Sequence, residues 1–180
     1  MRVRSVVLMS LLLIAACSRA PEAPPAPAAQ IQGTLNQVMR GILFANSNIL
    51  FDAQDRNPAA EPDPNDPAAS AHPFAGTYGG WEAVENASMA LYEAANLVQM
   101  PRKCQNGKDA PIDEETFKKG LAALREVSMN AYKTAQSKNQ DAMLDVADKL
   151  SQACSTCHDV YRDRVIDGKP MTMEQRCSAT

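Results

Sequence analysis

The 180-residue sequence predicts an all-α fold, an antiparallel four-helix bundle in up-down-up-down order. Three observations predict it. Aromatic residues make up 5% of the chain while apolar residues, many of them Ala, make up 45%, a balance that suits helices better than sandwiches or barrels. Four segments carry apolar side chains at helical spacing, and no strand-like alternation competes with them. The links between the second and third segments and between the third and fourth are short, which favours antiparallel neighbours. The length is that of one domain with extensions. The net charge of −3 offers no basic field, so nucleic acid is not an expected partner. Eight Gly without a Gly-rich phosphate loop argue against a nucleotide-binding α/β enzyme.

Residues 1–16, MRVRSVVLMSLLLIAA, have the form of an export signal. Arg2 and Arg4 precede an apolar run, Val6 to Ala16, that is too short to span a membrane as a mature helix. Ile14-Ala15-Ala16-Cys17 resembles a bacterial lipobox, in which Cys17 becomes the acylated N-terminus; an ordinary secretory signal with an incidental Cys17 is the plainer alternative. Loss of Arg2 and Arg4 takes the charge from −3 to −5. Residues 17–30 then form a tether. Four Pro within Ala20 to Ala29 favour extended polyproline II, a spacer without a core. Residues 31–180 hold the folded domain, expected on the periplasmic side of a bacterial membrane and attached to it by lipid at Cys17.

The first helix is expected from Ile31 to Gln54, with Leu35, Val38, Met39, Ile42, Leu43 and Leu50 on its inward stripe. Asn57-Pro58 ends it. Asn57 to Gly80 reads as a long loop containing His72. The second helix is expected from Trp81 to Gln99, with Val84, Leu91 and Val98 inward. The third opens at Pro111-Ile112-Asp113, with Asp113 as its N-cap, and buries Phe117, Leu121, Leu124 and Val127. The fourth is expected from Asn139 to Ile166, with Met143, Leu150, Cys154, Cys157, Tyr161 and Val165 inward, and Gly168 and Pro170 stop it.

Cys154-Ser155-Thr156-Cys157-His158 is a Cys-x-x-Cys-His sequence, the haem c attachment pattern. Two thiols three residues apart can reach two haem vinyl groups and form thioethers, and the adjacent imidazole then ligates iron. Competing readings are a redox dithiol, which wants a strand–helix junction in an α/β domain, and half a zinc site, which needs four ligands. Only 22 residues follow His158. Met171 and Met173 lie past Gly168 and are poor candidates for a second iron ligand. Met39 is better placed. It lies eight residues after Ile31, as His158 lies eight before Ile166. At about 1.5 Å per residue, both would sit roughly 12 Å from the same end of an antiparallel pair. An open sixth position and ligation by His72 are the alternatives.

With these residues in hand, the chain resembles a class II cytochrome c, the cytochrome c′ family, over about Ile31 to Ile166. Two segments carry the likeness: Cys154-Ser155-Thr156-Cys157-His158-Asp159-Val160-Tyr161-Arg162 is similar to the family's haem-binding helix, and Asn36-Gln37-Val38-Met39-Arg40 to its distal segment. The resemblance implies a four-helix bundle with one haem c near the C-terminal end. It also implies Met ligation at Met39 and low-spin iron; members without a ligand there leave five-coordinate iron that binds nitric oxide or carbon monoxide. The family often has a basic residue near a haem propionate one turn earlier, where this chain has Leu35. Arg40 or Arg162 would have to serve instead, and Arg162 is equally readable as a solvated helix-end charge. Family members often dimerise through the first two helices, which makes a second copy of the chain a partner to test.

Cys104, in the loop after the second helix, and Cys177, in the tail after the fourth, fall at the same end of such a bundle. In an oxidising compartment with no other partner, they are expected to pair as a disulfide. The function expected from all of this is one-electron transfer with redox proteins of the periplasm or respiratory chain. A gas-binding five-coordinate haem protein is the alternative. No Ser/His/Asp set or positioned carboxylate pair points to an enzyme.

Replacing Cys17 with Ser should move the exported protein from the membrane pellet to the soluble periplasmic fraction, read by fractionation and immunoblot.

Overall fold

The computed structural model describes residues 30–60, 63, 65, 74–75 and 77–178. The fold is all-α. Cys17, the signal, nearly all of the tether and His72 lie outside the described residues. The helices belong to one compact unit, Ile31–Thr180.

The first helical segment starts at α1, Leu35–Val38, later than Ile31. Thr34 caps it: its hydroxyl accepts from the Gln37 amide at 3.3 Å, and the Gln37 side chain accepts from the Thr34 amide at 2.8 Å. This reciprocal box satisfies two N–H groups that a helix start leaves without partners. The helix does not continue in α form. Met39–Phe44 is a π-helical stretch, and α2, Ala45–Asp55, follows it. α3 spans Gly80–Gln99, α4 Glu115–Gln136 and α5 Asp141–Tyr161. The N-cap position of α4 is Glu114 rather than Asp113, and its side chain makes no capping bond to the helix.

α5 ends at Tyr161, five residues short of Ile166. The sequence shows no strand-like alternation, yet a short hairpin forms here. Val165–Ile166 and Lys169–Pro170 form a two-stranded antiparallel hairpin, β1 and β2. Asp167 and Gly168 between them both have positive φ, 50° and 75°. Asp-Gly is the pair that tolerates two left-handed residues in a tight hairpin turn. Val165 is accordingly 64% exposed instead of facing inward.

α3 packs on α4, α4 on α5, and α2 on both α3 and α5. The stripes explain these pairings. Val84, Leu91 and Val98 of α3 meet Phe117, Leu121, Leu124 and Val127 of α4 in one buried cluster, joined by Leu50, Met143 and Leu150. Small buried side chains, Ser88, Ala95, Ser128, Ala131 and Ala135, let the helices approach closely. Phe74, from the long loop, also enters this core.

The tail is bound back to the loop after α3. Cys104 and Cys177 form a disulfide, with Cα atoms 6.5 Å apart across 73 residues of sequence. The Asn106 side-chain amide donates to the carbonyls of Met173 and Arg176, each at 3.0 Å. The Cys177 amide donates to the Tyr161 carbonyl at 2.9 Å, which also occupies an acceptor that the end of α5 leaves open. The loop's other side is fixed by Arg102, which donates to the carbonyls of Gly33 and Leu97. Among the described residues no helix is long and apolar enough to cross a membrane.

Removing the disulfide with Cys104→Ser and Cys177→Ser should cost about 4 kcal/mol of stability for a loop of this length. Urea denaturation without reductant measures it.

Candidate functional site

Cys154, Cys157 and His158 stand at positions i, i+3 and i+4 on α5, so a helix presents them on one face. All three are half-buried and line a cavity of about 540 Å³. That volume is within the range of small-molecule and cofactor sites. Leu35, Met39, Leu43 and Phe44 of the first helical segment line the same cavity, with Leu121 and Leu124 of α4. The structure therefore brings Met39 to the cavity that receives the Cys-x-x-Cys-His residues.

The π stretch matters to that meeting. Leu35, Met39, Leu43 and Ser47 all line the cavity and recur every four residues. In an unbroken α-helix a spacing of four drifts by about 40° per step, so over three steps the row would turn away from one hollow. The wider i→i+5 turn through Met39–Phe44 reduces this drift. A sequence reading at period 3.6 does not see such a widening, and the continuous α-helix expected from Ile31 to Gln54 is corrected on this point.

Gly120 of α4 makes room for one of the two sulfurs. A Cβ at this position would collide with the Cys157 Sγ. The Cys157 thiol points to the Phe117 carbonyl at 3.8 Å, and the Phe117 ring meets Tyr161 edge-on at 5.7 Å between centroids. The Tyr161 hydroxyl donates to Glu114 at 3.0 Å. Burial, with help from that bond, pushes Tyr161 up to about 12.

Both free thiols are held protonated. Burial pushes Cys157 up to about 11, with Cys154 adding to it, and burial also raises Cys154 against the pull of Arg162. A reactive redox dithiol requires the opposite shift. Among the described residues no three His, Cys, Asp or Glu side chains gather to hold a metal ion, so the zinc reading lacks its donors there. Burial, then Arg162, lowers His158 below its ordinary value, against the weaker pull of Asp163 and Asp159. Its imidazole is neutral at pH 7 and keeps a lone pair for coordination.

Arg162 also lines the cavity, but it is not a free charge. Its Nε and Nη2 grip the Asp163 carboxylate at 2.8 and 2.5 Å. Its Nη1 lies 3.4 Å from His158 Nε2. A metal on Nε2 would displace that contact and leave Arg162 its Asp163 pair. Arg40 lines the cavity as well and is exposed.

Sequence reasoning expects the Cys104–Cys177 bond to tie the tail beneath the haem end, but it missed which tail residues line the cavity. Met173, set aside as lying past a helix-stopping Gly, lines the cavity, as do Arg176 and the Cys104–Cys177 pair. The Asn106 bonds and the disulfide fold the segment back after the Asp167-Gly168 turn. The Cys pair was the one available signal that residues this late return to the site.

Compared with known proteins, the chain matches no protein-family model, no curated protein and no solved structure.

Gly120→Ala should force the Cys157 sulfur out of its niche. Iodoacetamide should then label Cys157 faster in the reduced, cofactor-free chain, as read by peptide mapping. The helix itself should hold or gain up to about 1 kcal/mol from the better helix former.

Proposed function

We propose that the chain is a monohaem c-type cytochrome, exported and lipid-anchored at Cys17, that carries single electrons between redox proteins. The observation that supports this most is the shared cavity. Two thiols, one imidazole and one thioether, from opposite ends of the sequence, open into a single apolar hollow of about 540 Å³. The donor set suits a covalently held tetrapyrrole: Cys154 and Cys157 would hold it by thioethers, and His158 and Met39 would be the side chains that ligate its iron. The ring of packing contacts among α2, α3, α4 and α5 supports reading the fold as an antiparallel up-down-up-down bundle of the class II cytochrome c kind.

When bound, haem iron supplies a one-electron couple between ferrous and ferric states. The chain's part is to set the conditions for that couple. Leu35, Leu43, Leu121 and Leu124 give the cavity an apolar wall, which lowers the local dielectric. The depressed His158 pKa keeps the imidazole neutral, with one ring nitrogen free to coordinate. Met39 offers a soft thioether, which favours the reduced metal relative to harder donors. A site in which the chain's own side chains would saturate the metal needs little rearrangement when an electron arrives, which suits a carrier.

The reduced, purified protein should give sharp low-spin c-type bands in the visible. Met39→Ala should convert it to a high-spin species that takes up carbon monoxide readily. A wild-type protein that is already high-spin would favour the gas-binding alternative, and an unchanged spectrum in Met39→Ala would remove Met39 as a ligand.

A further inference from the structure

Three guanidinium groups line the cavity, and they differ in what they already hold. Arg162 is bound to Asp163. Arg40 is exposed to water. Arg176 is half-buried; its Nε is buried with no hydrogen-bond partner, and its Nη1 donates to the Met173 Sδ at 3.1 Å. A thioether is a weak acceptor. None of the ion pairs among the described residues includes Arg176. Asp163 feels its charge at a distance, but that carboxylate is taken up by Arg162.

A guanidinium with a buried, unpartnered Nε and no paired anion is costly to keep at an apolar wall, and such a nitrogen in a native structure calls for a missing partner. The backbone that carries Arg176 is held in place on both sides. Its own carbonyl accepts from Asn106 at 3.0 Å. Its neighbour Cys177 is covalently tied to Cys104 and bonded to the Tyr161 carbonyl. The tail acts as a clamp that presents one cation to an apolar hollow.

We infer that Arg176 pairs with a carboxylate of the cavity's occupant, with the disulfide-tethered tail as the element that positions it. The inference rests on the haem reading above, where that carboxylate is a haem propionate. It assigns to the C-terminal tail the pairing that the sequence left to Arg40 or Arg162. An Arg–carboxylate contact in a water-poor site is charge-assisted and can be two-pronged, so it fixes orientation as well as charge. Loss of the cation would leave the propionate charge uncompensated near the iron, which stabilises the ferric state and lowers the reduction potential.

The test uses the full-length, haem-loaded protein and three substitutions: Arg176→Met, Arg176→Lys and, away from the cavity, Arg125→Met. Two quantities are read, the reduction potential and the resonance-Raman propionate bending mode, which moves with hydrogen bonding. Arg176→Met should lower the potential and shift the mode, Arg176→Lys should restore part of both, and Arg125→Met should leave both as in wild type. The Cys104→Ser and Cys177→Ser double variant, which frees the tail, should reproduce the Arg176→Met shifts and guards against misreading a local folding defect. A propionate mode unmoved by Arg176→Met and by the double variant overturns the inference and leaves the haem reading standing. A wild-type chain exported intact without covalent haem removes the haem reading itself, and the assigned carboxylate with it.

Discussion

Everything at the site depends on one geometric constraint: two sulfurs and an imidazole at i, i+3 and i+4 must open into space that no neighbouring helix fills. A helix face carrying Cys154, Cys157 and His158 would ordinarily be packed by Leu or Val from the next helix. Three local departures keep the hollow open. Gly120 removes a side chain where the Cys157 sulfur sits. The π stretch Met39–Phe44 keeps a four-residue row turned to the cavity. α5 stops at Tyr161, so the chain beyond it can leave the helix axis and return as a wall. Each departure weakens regular helical packing, and together they spare a volume that a fully packed helical core would close.

The large features were legible because they rest on local chemistry. The apolar stripes of α3 and α4 are buried as their spacing implies, from Val84 to Val98 and from Phe117 to Ala135. The Cys-x-x-Cys-His segment is visible from five letters. The pairing of Cys104 with Cys177 followed from placing a loop and a tail at the same end. Some signals were present and passed over: Thr34-Leu35-Asn36-Gln37 is a capping box, and Asp167-Gly168 is a hairpin turn. Others were not in the local sequence at all. A π insertion changes the period without changing the composition. The approach of Met173 and Arg176 to the cavity is set by bonds from Asn106, about 70 residues away in sequence, and no periodicity reports these.

The electrostatics of the site are those of an apolar cavity with cations in its walls in a chain that is acidic overall. Burial is the largest influence on both thiols and on His158: it holds the thiols protonated and keeps the imidazole neutral. The guanidiniums of Arg162 and Arg176 share the neighbourhood with Asp163, whose carboxyl is held below its usual range, chiefly by its bond to Arg162. One cation is therefore committed to the protein itself and another is held without a bonded anion, an asymmetry that gives any negatively charged occupant a preferred orientation.

The Cys104–Cys177 bond has a consequence for biogenesis. Four thiols in one domain allow three pairings, and two of them would bridge Cys154 or Cys157 to the wrong sulfur. Under the proposed reading, with export to an oxidising compartment and covalent haem, cross-linking of the tail and capture of the haem would draw on the same four sulfurs. Because Cys177 follows Cys154 and Cys157 in the chain, the Cys104–Cys177 bridge can close only after both of those thiols have been delivered. Under that reading, the order of the two maturation steps would govern how much of the newly made protein becomes usable.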